Sequence, residues 1–116
     1  MIGIDLLRVS RMERFIERFD ERGLQRFLNH EEIHPGARAQ SIAGLWAAKE
    51  ALSKALGCGI GQELGFHDMT ITKDSKGAPQ VRFSPSVQSH FRIKEAAVSI
   101  THDGDYVVAA AMVVKE

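Results

Sequence analysis

Three charged side chains in this chain stand where charge needs a reason. Asp5 interrupts the apolar run IGIDLL, which reads as a short strand. A carboxylate buried there is costly unless it is paired or binds a metal, and an ion pair with Arg8 would satisfy it. Glu50 and Lys54 stand four residues apart in WAAKEALSKALG. Alone they are ordinary helix decoration, worth a few tenths of a kcal/mol. Two carboxylates from separate elements with a lysine nearby, as Asp5 would make with them, also fit a Mg²⁺ phosphate site. Magnesium takes one or two carboxylates plus substrate phosphates rather than a full protein cage. His102 closes the segment SITH, where alternation puts it with Ile100 and opposite Ser99 and Thr101. By itself it is a histidine at a turn, and His30, His34, His67 and His90 show no zinc-ligand spacing with it.

A second pattern is basic. Arg8, Arg11, Arg14, Arg18, Arg22 and Arg26 fall in the first quarter of the chain, with Glu13, Glu17, Asp20 and Glu21 among them. The spacing predicts a helix from an N-cap at Ser10 to about Arg22, stopped by Gly23. At about 100° per residue, Met12, Phe15, Ile16 and Phe19 gather on one side. Arg11, Arg14, Arg18 and Arg22 lie beside them, and Glu13, Glu17 and Asp20 fill the remainder. A solvated face laced with ion pairs is the plain reading. Segregation of the two signs favours another, the docking of an acidic partner helix on a basic strip beside apolar residues.

The elements that must position these groups are legible in outline. Asn29 caps a short turn at HEEIH, interrupted by Pro35 and Gly36, and a long helix runs from about Ala37 to Leu56. Its wheel predicts a buried stripe of Leu45, Ala48, Leu52, Ala55 and Leu56. Glu50, Lys54, Ala43 and Ala47 are then expected on the side away from the core. DMTITK and PQVRF flank the turn DSKG as a hairpin, and SPSVQSHF reads as a short helix capped by Ser84. AAVSITH and YVVAAAMVV flank DGD as a second hairpin with an Asp-Gly turn. Val107 to Val114 is apolar enough to be covered on both faces, by helices or by another subunit. The order gives an α+β domain spanning residues 1–116, with a mostly antiparallel sheet, one long helix and an N-terminal arginine-rich helix.

Composition narrows the classes of function. The 116 residues are 44% hydrophobic and 26% charged, enough for one core and too ordered a mixture for a disordered chain. Formal net charge is zero, which gives no whole-molecule argument for nucleic acid. Cys58 is the only cysteine, so an internal disulfide and a cysteine-built metal site are excluded, and it reads as a small filler beside glycines. No run reaches membrane-spanning length and the amino terminus lacks the order of a secretory signal, so the expectation is a cytoplasmic protein.

These signals coincide in one family. The chain resembles the short bacterial holo-[acyl-carrier-protein] synthases of the 4′-phosphopantetheinyl transferase superfamily. GIDLLRVSR is similar to that family's opening Gly-x-Asp-(x)₅-Arg, matched by Gly3, Asp5 and Arg11. WAAKEALSKALG is similar to its Lys-Glu-Ala signature, Gly77 to Pro79 to its Gly-x-Pro, and SITH to its C-terminal Ser-(x)₂-His. The resemblance implies that Asp5 and Glu50 bind Mg²⁺ with the pyrophosphate of coenzyme A, and that Lys54, His102 and the Gly77–Pro79 segment contact coenzyme A. It implies Arg11, Arg14, Arg18 and Phe15 as the docking face for apo acyl carrier protein, and phosphoryl-transfer logic then makes Glu50, which would help deprotonate the serine, and Lys54, which would stabilise or protonate the leaving phosphate, the expected catalytic pair. The resemblance further implies a homotrimer with sites between subunits, transfer of 4′-phosphopantetheine to a carrier serine with release of adenosine 3′,5′-bisphosphate, and a place in fatty-acid biosynthesis. Two positions depart from the pattern. Leu45 stands where many members have an arginine, so that either the charge comes from elsewhere, Arg38 or Arg92, or coenzyme binding is weaker, and Asn29 stands for the usual threonine. Lys49 belongs to the signature but points to a different side from Glu50, and the chemistry assigns it no role.

Two other classes compete. A non-catalytic carrier-binding subunit would keep the arginine face but would not need Asp5, Glu50 and Lys54 together. A nucleic-acid module would use the same arginines, and the neutral net charge and interleaved acidic residues count against it.

Overall fold

A computed structural model describes all 116 residues. The elements in chain order are β1 (Ile2–Arg8), α1 (Val9–Leu24), α2 (Ala39–Ala55), β2 (Met69–Lys73), β3 (Pro79–Phe83), α3 (Pro85–Phe91), β4 (Ile93–Asp103) and β5 (Tyr106–Lys115). Short 3₁₀ turns at His30–Glu32 and Phe66–Asp68 join them. β5 is the central strand of an antiparallel sheet ordered β1-β5-β4, and β2 and β3 form a separate hairpin whose β3 packs beside β4. The α+β architecture is the one expected. No helix is long and apolar enough to cross a membrane.

The long helix α2 lies on the inner face of the three-stranded sheet, and small side chains let it come close. A Cβ on Gly3 would sit 1.9 Å from the carbonyl oxygen of Ala51 and 2.6 Å from the amide nitrogen of Ala55. β1 therefore touches the helix backbone itself, a contact only glycine permits. Gly44 makes a looser version of the same approach against Ile100. This close seat corrects the helical wheel. Ala43 and Ala47, expected on the outer side, are fully buried, whereas Leu45 is only half-buried. α2 is a central helix wrapped by the sheet on one side and by α1 and the 3₁₀ turns on the other, so apolar residues surround it almost completely.

Two helix ends also differ from expectation. α1 starts at Val9, and Ser10 does not cap it. The cap comes from the β4–β5 turn: Asp105 Oδ1 accepts the Ser10 amide at 2.8 Å, Oδ2 accepts the Ser10 hydroxyl at 2.6 Å, and the Asp105 carbonyl accepts the Val9 amide at 2.7 Å. At its far end α1 is broken by Asp20 (φ 53°, ψ −151°), while Gly23 is buried where a Cβ would lie 2.5 Å from that of Phe19. Gly23 is thus a packing glycine rather than a stop signal. In the β4–β5 turn the positive φ, 57°, belongs to Gly104 at the first central position, as a type II′ turn requires, so Gly104-Asp105 forms the loop rather than Asp103-Gly104.

The most constrained charges are Lys49, which the sequence left unexplained, and its partner Glu32. Lys49, fully buried, donates to Glu32 Oε1 at 2.6 Å, to the Phe27 carbonyl at 2.7 Å and to the Phe66 carbonyl at 3.1 Å. Glu32 also accepts the amides of Asn29 at 2.7 Å and Ile71 at 2.8 Å. Every polar atom of this buried knot has a partner. It ties α2 to β2 and to both 3₁₀ turns, and burial lowers the Lys49 pKa against the opposing pull of Glu32. Glu32→Ala should cost about 3–5 kcal/mol in denaturant unfolding, because it strands a buried ammonium. The double change Glu32→Gln with Lys49→Met should cost clearly less. A single-variant loss below about 1 kcal/mol would show that the pair is not desolvated as described.

Candidate active site

The approach of β1 to α2 determines where the site forms. Gly3 contacts Ala51 and Ala55, so Glu50 and Lys54, each one residue earlier, emerge about 100° around the helix beside the next inward-facing residue of β1, which is Asp5. Lys54 Nζ donates to Asp5 Oδ1 at 2.9 Å and to the Ile4 carbonyl at 3.0 Å. The partner of Asp5 is therefore Lys54 and not Arg8, whose guanidinium instead lies 5.1 Å over the Tyr106 ring. About half of the Lys54 side chain is exposed against 15% for Asp5, so the ammonium sits at the mouth and the carboxylate behind it.

Glu50 is half-buried, and its pKa is raised by that burial and then by the negative charge of Asp5, with Lys54 pulling the other way. Two carboxylates that repel one another behind one exposed ammonium are a donor set a divalent cation would relieve. No group of three or more His, Cys, Asp or Glu side chains converges anywhere. A cation at Asp5 and Glu50 would thus draw its remaining ligands from water and substrate, as magnesium does and structural zinc does not.

The other expected substrate contacts lie elsewhere on the chain. His102 pairs with Val107 at the exposed end of β4, on the opposite edge of the sheet from Asp5. Gly77 (φ 85°) shapes the β2–β3 turn with Asp74, and Pro79 opens β3. Within one chain these residues do not join the Asp5–Glu50–Lys54 cluster. Leu45 packs half-buried against the core, and Arg38 and Arg92 are both exposed and outside any ion pair. Burial, followed by the charge of Glu63, pushes the Cys58 thiol up, which suits a filler and not a nucleophile.

The basic helix presents a groove of about 510 Å³ lined by Arg11, Arg14, Arg18, Phe15, Phe19 and Trp46 among others. No arginine of α1 lies within ion-pair distance of a carboxylate, so the interleaved acids do not neutralise them. The guanidinium groups of Arg18 and Arg26 lie over the Phe19 ring at 5.1 and 4.6 Å. The segregated faces of the wheel are present in the fold, with Met12 buried, Phe15, Ile16 and Phe19 half-buried, and the arginines exposed.

A family model for the 4′-phosphopantetheinyl transferase superfamily matches residues 1–111. A holo-[acyl-carrier-protein] synthase of Wolinella succinogenes is 51% identical over 115 residues, covering 99% of this chain and 98% of its own length. That of Sulfurimonas denitrificans is 49% identical over 113 residues, covering 97% and 93%. The crystal structure of the Helicobacter pylori holo-[acyl-carrier-protein] synthase in complex with coenzyme A superposes with a TM-score of 0.94 at 42% identity, covering 98% of this chain and all of that one. With its fold, its motifs and its full-length relatives in agreement, the chain belongs to the holo-[acyl-carrier-protein] synthases of the 4′-phosphopantetheinyl transferase superfamily.

Proposed function

We propose that residues 1–116 act as one transferase domain that moves 4′-phosphopantetheine from coenzyme A to a serine of apo acyl carrier protein. The observation that carries this reading is the convergence of Asp5 and Glu50 with Lys54 at the β1–α2 contact. A binding module has no use for two mutually repelling carboxylates and a lysine gathered in one cluster. Fatty-acid synthesis is the pathway, and the cytoplasm the compartment, that the reading takes as default.

In this scheme the serine oxygen forms a bond to the β-phosphorus, the bond from that phosphorus to the bridging oxygen breaks, and adenosine 3′,5′-bisphosphate leaves with the bond electrons. Asp5 and Glu50 would hold Mg²⁺, which when bound neutralises charge on the pyrophosphate. Glu50 accepts the serine proton, directly or through a water. Lys54 turns from Asp5 through the solvent that bathes half its side chain and stabilises the departing phosphate. His102, Gly77 and Pro79 hold the remainder of coenzyme A.

Because those last three residues lie apart from the cluster, the scheme takes them from a second copy of the chain. The outer face of the β1-β5-β4 sheet supports assembly: Ile2, Ile4 and Leu6 are 80%, 61% and 59% exposed, and Met112 on the neighbouring strand is 40% exposed. A contiguous apolar face of this kind on a small protein marks an interface. A homotrimer with shared sites accounts for it, and for an apolar β5 that only one face of the chain's own core covers.

Incubation of apo carrier protein with the enzyme, coenzyme A and Mg²⁺ should add one phosphopantetheine group to the carrier by intact mass, and Glu50→Gln should slow that gain by roughly a hundredfold or more. Carrier that binds but gains no mass would leave only the binding-module reading. On the docking face, Arg14→Glu should raise KM for the carrier at least tenfold more than KM for coenzyme A, since it reverses one charge facing an acidic partner. Equal effects on the two substrates would contradict docking at α1.

A further inference from the structure

We propose that Asp105 is a positioning residue for the carrier protein, clamping the head of the docking helix to the hairpin that carries His102; the inference rests on the transfer reading above. A helix leaves its first amides without internal partners, and α1 has no side-chain cap from its own N-cap residue, Arg8. Asp105 supplies partners for the first two of these amides from the far end of the chain, with one carboxylate oxygen on the Ser10 amide, the other on the Ser10 hydroxyl, and its carbonyl on the Val9 amide. Hydrogen bonds to a carboxylate are about twice as strong as neutral ones, and a negative group at this end also complements the helix dipole.

The place of the clamp gives it a functional consequence. Two residues before the turn, His102 pairs with Val107, and Asp103 pairs with Tyr106, so the sheet ladder holds the hairpin independently of the clamp. On the other side, Arg11 and Arg14 stand within the first turns of α1, immediately after the capped amides. Arg8 reaches the same corner by stacking on Tyr106 at 5.1 Å. The two Ser10 bonds, aided by the charges of Arg8 and Arg14, hold the Asp105 carboxyl below the usual range, so the clamp carries its charge at neutral pH. At its far end α1 is broken at Asp20. The spacing of the docking arginines relative to the coenzyme end of the sheet therefore depends on the Asp105 clamp more than on the continuity of the helix.

Steady-state kinetics with each substrate varied in turn, on the full-length enzyme, tests this. Asp105→Ala should raise KM for the carrier roughly fivefold or more, leaving KM for coenzyme A and kcat at saturating carrier within about twofold. Asp105→Asn keeps an oxygen acceptor for the Ser10 amide and should restore the carrier KM to within about twofold of the parent. Hydrogen exchange should quicken at residues 10–14 in Asp105→Ala alone, with α2 protected as in the parent, which separates a frayed helix head from a misfolded chain. An unchanged carrier KM in Asp105→Ala, a parallel rise in both KM values, or an Asn variant as impaired as the Ala variant would each overturn the clamp. A parent enzyme that adds nothing to the carrier would overturn the transfer reading instead.

Discussion

The contact between Gly3 and the backbone of α2 is the constraint on which the rest of the molecule depends. With no side chain at Gly3, β1 lies against Ala51 and Ala55, and the next inward residue of the strand, Asp5, is delivered to the side of the helix that carries Glu50 and Lys54. Any side chain at Gly3 would push strand and helix apart, since the atoms it would meet are backbone atoms that cannot swing aside. Three groups from two elements distant in sequence become one cluster because two surfaces of minimal thickness meet. The same economy of side-chain size explains the alanine content of α2, where Ala43, Ala47, Ala48 and Ala51 are all fully buried.

A helix seated this closely also has to be fixed against sliding along its axis. Small apolar residues pack well but define register weakly, and the Lys49–Glu32 pair supplies what they lack. One ammonium engages two carbonyls and a carboxylate, and that carboxylate engages two amides, so the helix has one position at which all of these bonds are made. Glu50 is the next residue. The knot inside and the cluster outside are adjacent rungs of one helix, and the rigidity of the first is transmitted to the second without an intervening joint. Asn29 extends the knot by donating to the Thr70 hydroxyl at 2.7 Å, which gives its side chain a place in the packing beyond that of a cap.

Much of this was legible in the sequence, and the gaps have physical causes. Alternation and turn chemistry located the hairpins, because these depend on neighbours near in sequence, whereas only the family resemblance singled out Asp5, Glu50 and Lys54 as a set. The helical wheel failed for α2 because a wheel presumes one buried face, and Ala43 and Ala47 are covered by elements that the wheel does not know about. Ser10 was a reasonable cap by type, yet the structure puts its amide on Asp105, a contact between ends of the chain that no local pattern encodes. Lys49 had no local explanation for the same reason. A signal for its partner was present in Asn29-x-x-Glu32, the spacing of a capping box, which marks Glu32 as a carboxylate turned back toward the protein. The separation of His102 from Asp5 was not readable at all, since it depends on the order β1-β5-β4, and order within a sheet is a property of the whole chain.

The central claim is that Asp5 and Glu50, brought together by the Gly3 contact, jointly hold a divalent cation beside the coenzyme A phosphates. Anomalous diffraction from crystals grown with coenzyme A and Mn²⁺, in place of Mg²⁺, tests it most directly. The account predicts one anomalous peak per chain within about 2.5 Å of a carboxylate oxygen of each of the two residues, with Lys54 turned away from Asp5 toward phosphate. A peak bound by other residues, or coenzyme A seated with its phosphates away from this cluster, would contradict it.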